Sequence, residues 1–298
     1  MTDIMFQGSF TALITPMNPD GSIDLAAFDR FVEWQIAEGS DGLVPVGTTG
    51  ESPTLSHEEH HDIVERTVRI SAGRVPVIAG AGSNSTAEAI DLAKHAQAAG
   101  ASAALVVTPY YNKPTQEGLY RHFSAIADAV EIPVVLYNIP GRSVVDISVE
   151  TMTRLAANAN IIGVKDATAN LLRPLQVRRA IRNKRFNQLS GEDGTAVSFL
   201  AAGGDGCISV TSNIAPALCA RVQKAWRDGR ASEAQELQDR LLPLHDALFC
   251  ESNPAPAKYA ASLLGLAGET CRLPLAPLSE AARATVKAAL VEVGLLDR

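Results

Sequence analysis

Lys165 closes the apolar run Ile161-Ile162-Gly163-Val164-Lys165. Such a run reads as a parallel strand buried on both faces, so the ammonium at its end must either snorkel to water or stay for a chemical reason. A lysine among apolar walls loses preference for its charged form, and its neutral amine can attack a carbonyl to form a Schiff base. Other reactive residue types occupy comparable places. Gly47-Thr48-Thr49-Gly50-Glu51 combines two glycines with two hydroxyls and could seat a small carboxylate on backbone amides, although the same residues could form a simple turn. Tyr137-Asn138-Ile139-Pro140 ends another apolar run, where a tyrosine could equally cap a core through its hydroxyl. His57-Glu58-Glu59-His60-His61 matches the H-E-x-x-H zinc pattern but sits on a capping box, Ser56 to Glu59, at a helix start. Polar residues on a first helical turn, with Glu58 and Glu59 favoured by the dipole, explain it better than zinc, and no metal is expected.

The elements that must position these groups repeat along the chain. Runs rich in Val, Ile, Leu and Ala span 9–14, 42–46, 75–79, 103–107, 133–137, 161–165, 186–190 and 206–210. Helical patterns separate them, one starting after Asp24. Eight alternating units predict a (β/α)8 TIM barrel of the α/β class, and the absence of a Gly-rich phosphate turn after the first run argues against an open doubly wound sheet. Beyond Pro216 the pattern is helical, with candidates over 232–249, 254–264 and 279–293. The expected organisation is a catalytic barrel over 1–224 and a C-terminal helical extension over 225–298 packed on it. In a barrel the chemistry sits where strands end, and the residues after the runs include Thr48, Thr49, Tyr110, Tyr111, Tyr137, Lys165, Ser190, Gly191 and Asn213. Gly80-Ala81-Gly82-Ser83 lacks the third glycine of a dinucleotide fingerprint and follows the third run, and Asp193 and the pair Glu58 and Glu59 read as helix starts.

The 298 residues are 46% hydrophobic and 20% charged, with a net charge of -7. That composition suits a globular protein acting on a small soluble substrate, without a basic stripe for nucleic acid or a cationic stretch for a membrane. No export signal or membrane span is read, so a cytoplasmic location is expected, and Cys207, Cys219, Cys250 and Cys271 read as reduced packing residues.

The segments Gly47-Thr48-Thr49-Gly50-Glu51, Tyr137-Asn138-Ile139-Pro140 and Gly163-Val164-Lys165-Asp166-Ala167, in this order and spacing, resemble the dihydrodipicolinate synthase/N-acetylneuraminate lyase family of Schiff-base aldolases over nearly the whole chain. The resemblance implies Lys165 as the amine that condenses with pyruvate and Tyr137 as its general acid/base. It also implies Thr48 as a proton carrier between Tyr137 and a Tyr111 supplied by a neighbouring subunit. Thr48 and Thr49 would hold the pyruvate carboxylate, and Gly191 and Ile208 would line its pocket. The imine acts as an electron sink that turns the pyruvate methyl into a carbon nucleophile, and linked hydroxyls can carry the protons each step moves.

Arg142, in Pro140-Gly141-Arg142-Ser143, matches the arginine that the synthase branch carries for its second substrate's carboxylate, and a guanidinium suits that task. With the Tyr110-Tyr111 pair, this implies L-aspartate 4-semialdehyde as acceptor and 4-hydroxy-tetrahydrodipicolinate as product, on the way to diaminopimelate and lysine. A sugar-acid aldolase, such as an N-acetylneuraminate or 2-keto-3-deoxy acid lyase, is the alternative; a zinc hydrolase and a non-catalytic sensor are more distant ones. Ser143 and Asp166 depart from the more frequent threonine and glutamate while keeping the functional groups. The resemblance also implies an allosteric L-lysine site formed by Ser52, His57, His60, Asn84, Glu88 and Tyr110, with Pro53 departing from the usual alanine. It implies a homotetramer built as a dimer of dimers, and no cofactor.

Overall fold

A computed structural model describes residues 6–182 and 185–297. Eight strands and their helices alternate: β1 (Gly8–Ala12), α1 (Leu25–Ala37), β2 (Gly42–Val44), α2 (His57–Ser71), β3 (Ile78–Gly80), α3 (Thr86–Ala98), β4 (Ala103–Val107) and α4 (Gln116–Ala129). They continue with β5 (Val134–Asn138), the single turn α5 (Pro140–Ser143), α6 (Val149–Leu155), β6 (Ile161–Asp166), α7 (Arg173–Ala180), β7 (Asn187–Ser190), α8 (Ala196–Ala201), β8 (Gly206–Ser209) and α9 (Pro216–Arg227). The strands are parallel in the order β2-β1-β8-β7-β6-β5-β4-β3, and a parallel bridge between Leu43 and Val77 joins the two ends. This is the barrel that the periodicity predicts.

Alternation along each strand separates two faces. Phe10, Ala12, Val44, Ile78, Leu105, Val135, Tyr137, Leu189 and Ile208 form one buried cluster inside the barrel. Val134, Leu136 and Val164 join the cluster under α3, α4 and α6 instead. Lys165 and Tyr137 are therefore one residue out of phase with the helix-facing positions and point inward.

Several strands are shorter than their apolar runs. β2 stops at Val44 because Val46 takes φ 48°, a left-handed conformation that ends the ladder. β1 stops at Ala12: the Ile14 amide donates to Asn213 Oδ1 at 2.9 Å, while Asn213 Nδ2 donates to the Ala12 carbonyl at 2.8 Å. Asn213 thus locks the β1 end to the segment after β8. At β3 the backbone passes so close to the loop after β2 that a Cβ on Gly80 would stand 2.3 Å from the Val46 carbonyl oxygen.

Helix starts follow the expected chemistry. Asp24 Oδ1 accepts from the Ala27 amide at 2.8 Å, and Ser56 and Glu59 form a reciprocal capping box at 3.1 and 2.8 Å. After the barrel come α10 (Ala231–Ala247), α11 (Ala255–Leu263) and α12 (Glu280–Glu292). Their apolar faces share one continuous cluster with Phe28, Phe31 and Ile63 of the barrel helices; α10 packs on α9 and α8, and α12 on α10 and α11. Residue 224 lies within α9. All four cysteines are free thiols.

Candidate active site

Tyr137 and Lys165 are direct neighbours across the β5–β6 ladder, and Val107 pairs with Tyr137 on the other side. Both inward side chains are only 6% exposed, and Lys165 Nζ lies 4.2 Å from the centre of the Tyr137 ring. An ammonium there is largely stripped of water and faces an aromatic ring, which offers far less compensation than a carboxylate. Asp166, next in the chain, faces the opposite side, where it accepts from the Thr168 amide at 3.0 Å and from Asn138 Nδ2 at 3.3 Å. Gly191 closes the wall beside the lysine: a Cβ there would stand 3.0 Å from Lys165 Cε and 2.8 Å from Ala167 Cβ. Leu189 pairs with Lys165, and Ile208 belongs to the same interior cluster.

The Gly47–Glu51 turn follows β2 at the same end of the barrel. Thr15 Oγ1 donates to the Gly50 carbonyl at 2.8 Å, and Asn253 Nδ2 donates to Thr49 Oγ1 at 3.0 Å. Thr48 remains half-buried. Arg142 is exposed on the turn after β5. That turn is held from below: the fully buried Asn138 donates to Asp146 at 2.7 Å and accepts from the Ile147 amide at 3.0 Å. Arg173 donates to the Ile147 carbonyl at 2.7 Å and to Asp146 at 2.5 Å.

One expected site residue is not brought to Lys165 by its own chain. Tyr111 is 90% exposed, on a left-handed backbone with φ 70°. Holding a tyrosine there costs on the order of 1–3 kcal/mol, and its ring projects into solvent.

A buried lysine beside a tyrosine, at the C-terminal end of a parallel barrel, narrows the fold's many chemistries to few. The model of the Dihydrodipicolinate synthetase family matches residues 5–293. The chain belongs to this family. The 4-hydroxy-tetrahydrodipicolinate synthase of Gluconacetobacter diazotrophicus is 72% identical, with 100% of both chains covered. A chloride-inhibited dihydrodipicolinate synthase from Acinetobacter baumannii, complexed with pyruvate, superposes with a TM-score of 0.95 at 47% identity, covering 98% of this chain and 100% of that one. A DHDPS from Cyanidioschyzon merolae with lysine bound gives 0.93 at 38% identity, covering 98% and 99%.

Of the residues that the family resemblance assigns to a lysine cleft, His57, His60, Asn84 and Glu88 lie at the starts of α2 and α3, and Tyr110 in the loop after β4 meets Asn84. His57 Nε2 meets Glu88 at 2.7 Å, and Asn84 Nδ2 donates to the Tyr110 carbonyl at 3.2 Å. The Ser83 hydroxyl, and after it His57, holds the Glu88 carboxyl below its ordinary range. Burial, reinforced by His61, pushes His60 down to about 4. Ser52 opens the turn Ser52–Thr54, its amide 3.3 Å from the Gly47 carbonyl. His61 turns away to stack on His95, ring centres 3.7 Å apart, so the two outer histidines of the H-E-x-x-H string face different partners.

Sequence reasoning missed several supports. Asp193 does more than begin a helix: buried, it accepts from the Val210 amide at 2.8 Å, the Thr211 amide at 3.2 Å and the Ser209 hydroxyl, tying the loop after β7 to the end of β8. Asp146, Arg173 and the Lys258 partner of Glu51 carry no signal of this kind, and Asn138 is visible only as a motif residue, not as the anchor of Asp146. Only a charged residue inside an apolar stretch, as Lys258 is in Ala255–Leu263, could have flagged any of them.

Proposed function

We propose that this chain condenses pyruvate with L-aspartate 4-semialdehyde through an imine on Lys165 and yields 4-hydroxy-tetrahydrodipicolinate, within diaminopimelate and lysine biosynthesis. The observation that carries this is the buried Lys165 ammonium 4.2 Å from the Tyr137 ring, inside a barrel. The 72% identity to a 4-hydroxy-tetrahydrodipicolinate synthase and the likeness to a dihydrodipicolinate synthase complexed with pyruvate support it.

The chemistry follows from the placement. The amine attacks the pyruvate carbonyl, water leaves, and the protonated imine draws electrons from the methyl, so that transfer of a methyl proton to a neighbouring base leaves a neutral enamine. Tyr137 is the general acid/base beside these atoms. Thr48 links it to Tyr111 of a second copy, which an exposed Tyr111 could reach; the assembly we propose is a homotetramer of two dimers. Thr48 and Thr49 seat the pyruvate carboxylate, with Gly191 and Ile208 as walls. Arg142 receives the carboxylate of the semialdehyde, and its exposure at the rim leaves room for an incoming substrate. L-lysine inhibits at the cleft of Ser52, His57, His60, Asn84, Glu88 and Tyr110, where Glu88 meets the ammonium and the imidazoles the carboxylate. A lysine-bound relative supports this part. The site of action we propose is the cytoplasm; no described helix is long and apolar enough to cross a membrane.

The test is to supply pyruvate with either L-aspartate 4-semialdehyde or N-acetylmannosamine. Ring product from the first alone is expected. Condensation with the amino sugar alone would move the chain to the sugar-acid aldolases.

A further inference from the structure

The Gly47–Glu51 turn is gripped from the far end of the chain. Glu51 sits at φ 58°, with its carboxylate folded under the turn, and its side chain is 1% exposed. Its Oε1 pairs with the ammonium of Lys258, which is 0% exposed, and its Oε2 accepts from the Arg272 amide at 2.9 Å. Lys258 spends a second donor on the Thr270 carbonyl at 2.7 Å. Two neighbouring ties run from the same segment: Asn253 reaches Thr49 Oγ1 at 3.0 Å, and the Arg272 guanidinium donates to the Thr54 carbonyl at 2.6 Å and to Glu59 at 2.7 Å.

A buried ion pair is a poor stabiliser, because desolvation consumes most of the attraction, whereas satisfied charges hold a fixed geometry. A helix packed on the outside of a barrel needs no charge to stay there. Apolar residues already fill that contact, since Ala257, Ala260 and Ala261 of α11 lie in the shared cluster. The pair instead acts on one place, the left-handed residue directly after Gly50, two and three positions from Thr49 and Thr48.

We propose that α11 and the strand of chain up to Arg272 set the Gly47–Glu51 turn through the Glu51–Lys258 pair, making Glu51 and Lys258 positioning residues for pyruvate capture. This rests on the reading of Thr48 and Thr49 as the carboxylate seat. The effect is directional: the Glu51 amide donates to the Thr48 carbonyl at 3.1 Å, and among the described residues the hydrogen bonds of the pair do not reach the Arg142 turn, so the two substrates respond differently.

Single variants leave one buried charge unpaired and are expected to unfold, so the test uses the neutral double variant Glu51→Gln with Lys258→Met, and separately Arg272→Gln on the partly buried tie to Glu59. Each is melted, and KM is measured for both substrates at a temperature where it is fully folded. The expected result is a KM for pyruvate raised about tenfold in the double variant, the loss of one charge-assisted contact, and less in Arg272→Gln, with the KM for the semialdehyde unchanged. A folded double variant with native pyruvate KM, or one in which both KM values move together, overturns the proposal. Thr48→Val separates the two readings. If it is inert, the turn is not the seat and the proposal falls with that assignment. If it is crippled while the double variant keeps native KM, the positioning role alone fails.

Discussion

Replacing Gly191 with alanine places one methyl where the structure leaves no room for it. The new Cβ would stand 2.8 Å from Ala167 Cβ and 3.0 Å from Lys165 Cε. Carbon pairs rest at about 3.5–4.0 Å, so roughly 0.5–1 Å must be found. Ala167 is fixed, since its amide donates to the Asn138 carbonyl at 2.9 Å. The Lys165 side chain is the one that can swing, and its amine moves with it. Overpacking of this size costs about 1–3 kcal/mol, a few degrees of Tm in a chain this large, so the variant folds. A displacement near 1 Å at a reacting group costs about 100-fold. We therefore expect Gly191→Ala to lower kcat/KM by about 10- to 100-fold and to slow borohydride-dependent labelling by pyruvate in parallel, with a far-UV spectrum like that of the parent. Native labelling and turnover in the folded variant would refute the placement of Lys165 against Gly191.

Arg142→Gln is expected to reduce turnover of L-aspartate 4-semialdehyde by about 10- to 100-fold, the worth of a charged hydrogen bond, while labelling of Lys165 by pyruvate stays intact; equal loss of both would place Arg142 on pyruvate instead. Glu88→Ala should raise the L-lysine concentration for half-inhibition at least about tenfold, by removing the carboxylate that His57 and Ser83 hold; unchanged inhibition removes that cleft from the account. Burial holds His122 near 4, below the ordinary 6.5. A depressed histidine leaves the unfolded chain binding the extra proton, so its stability is complete above pH 6.5 and falls as pH drops toward 4, by on the order of 3 kcal/mol in full. His122→Gln, which keeps a polar partner for Thr86, should flatten the fall of Tm between pH 6.5 and 4.5, and a parallel fall in both proteins would contradict this.

The parts of the molecule that the sequence discloses are those with a local period. The run ending at Lys165 names its strand, and the one ending at Tyr137 names the next; equal phase in a parallel ladder then brings the two side chains together. The helix starts at Asp24 and Ser56 are equally local. What stays hidden joins distant residues. Glu51 and Lys258 lie 207 positions apart, and neither run around them carries a pattern that points to the other. Asn213 reads as one more polar group at the barrel mouth, and only the folded chain shows it spent on the ends of β1. Tyr111 is a different case: the relay proposed for it would need a second copy, and within its own chain it is 90% exposed.

The most direct measurement is reduction with borohydride in the presence of pyruvate, followed by peptide mass analysis of the wild-type chain and of Lys165→Arg. One reduced pyruvyl group per chain is expected, on Lys165, and none on the variant. Labelling of another lysine, or no labelling of the wild type under saturating pyruvate, would contradict it.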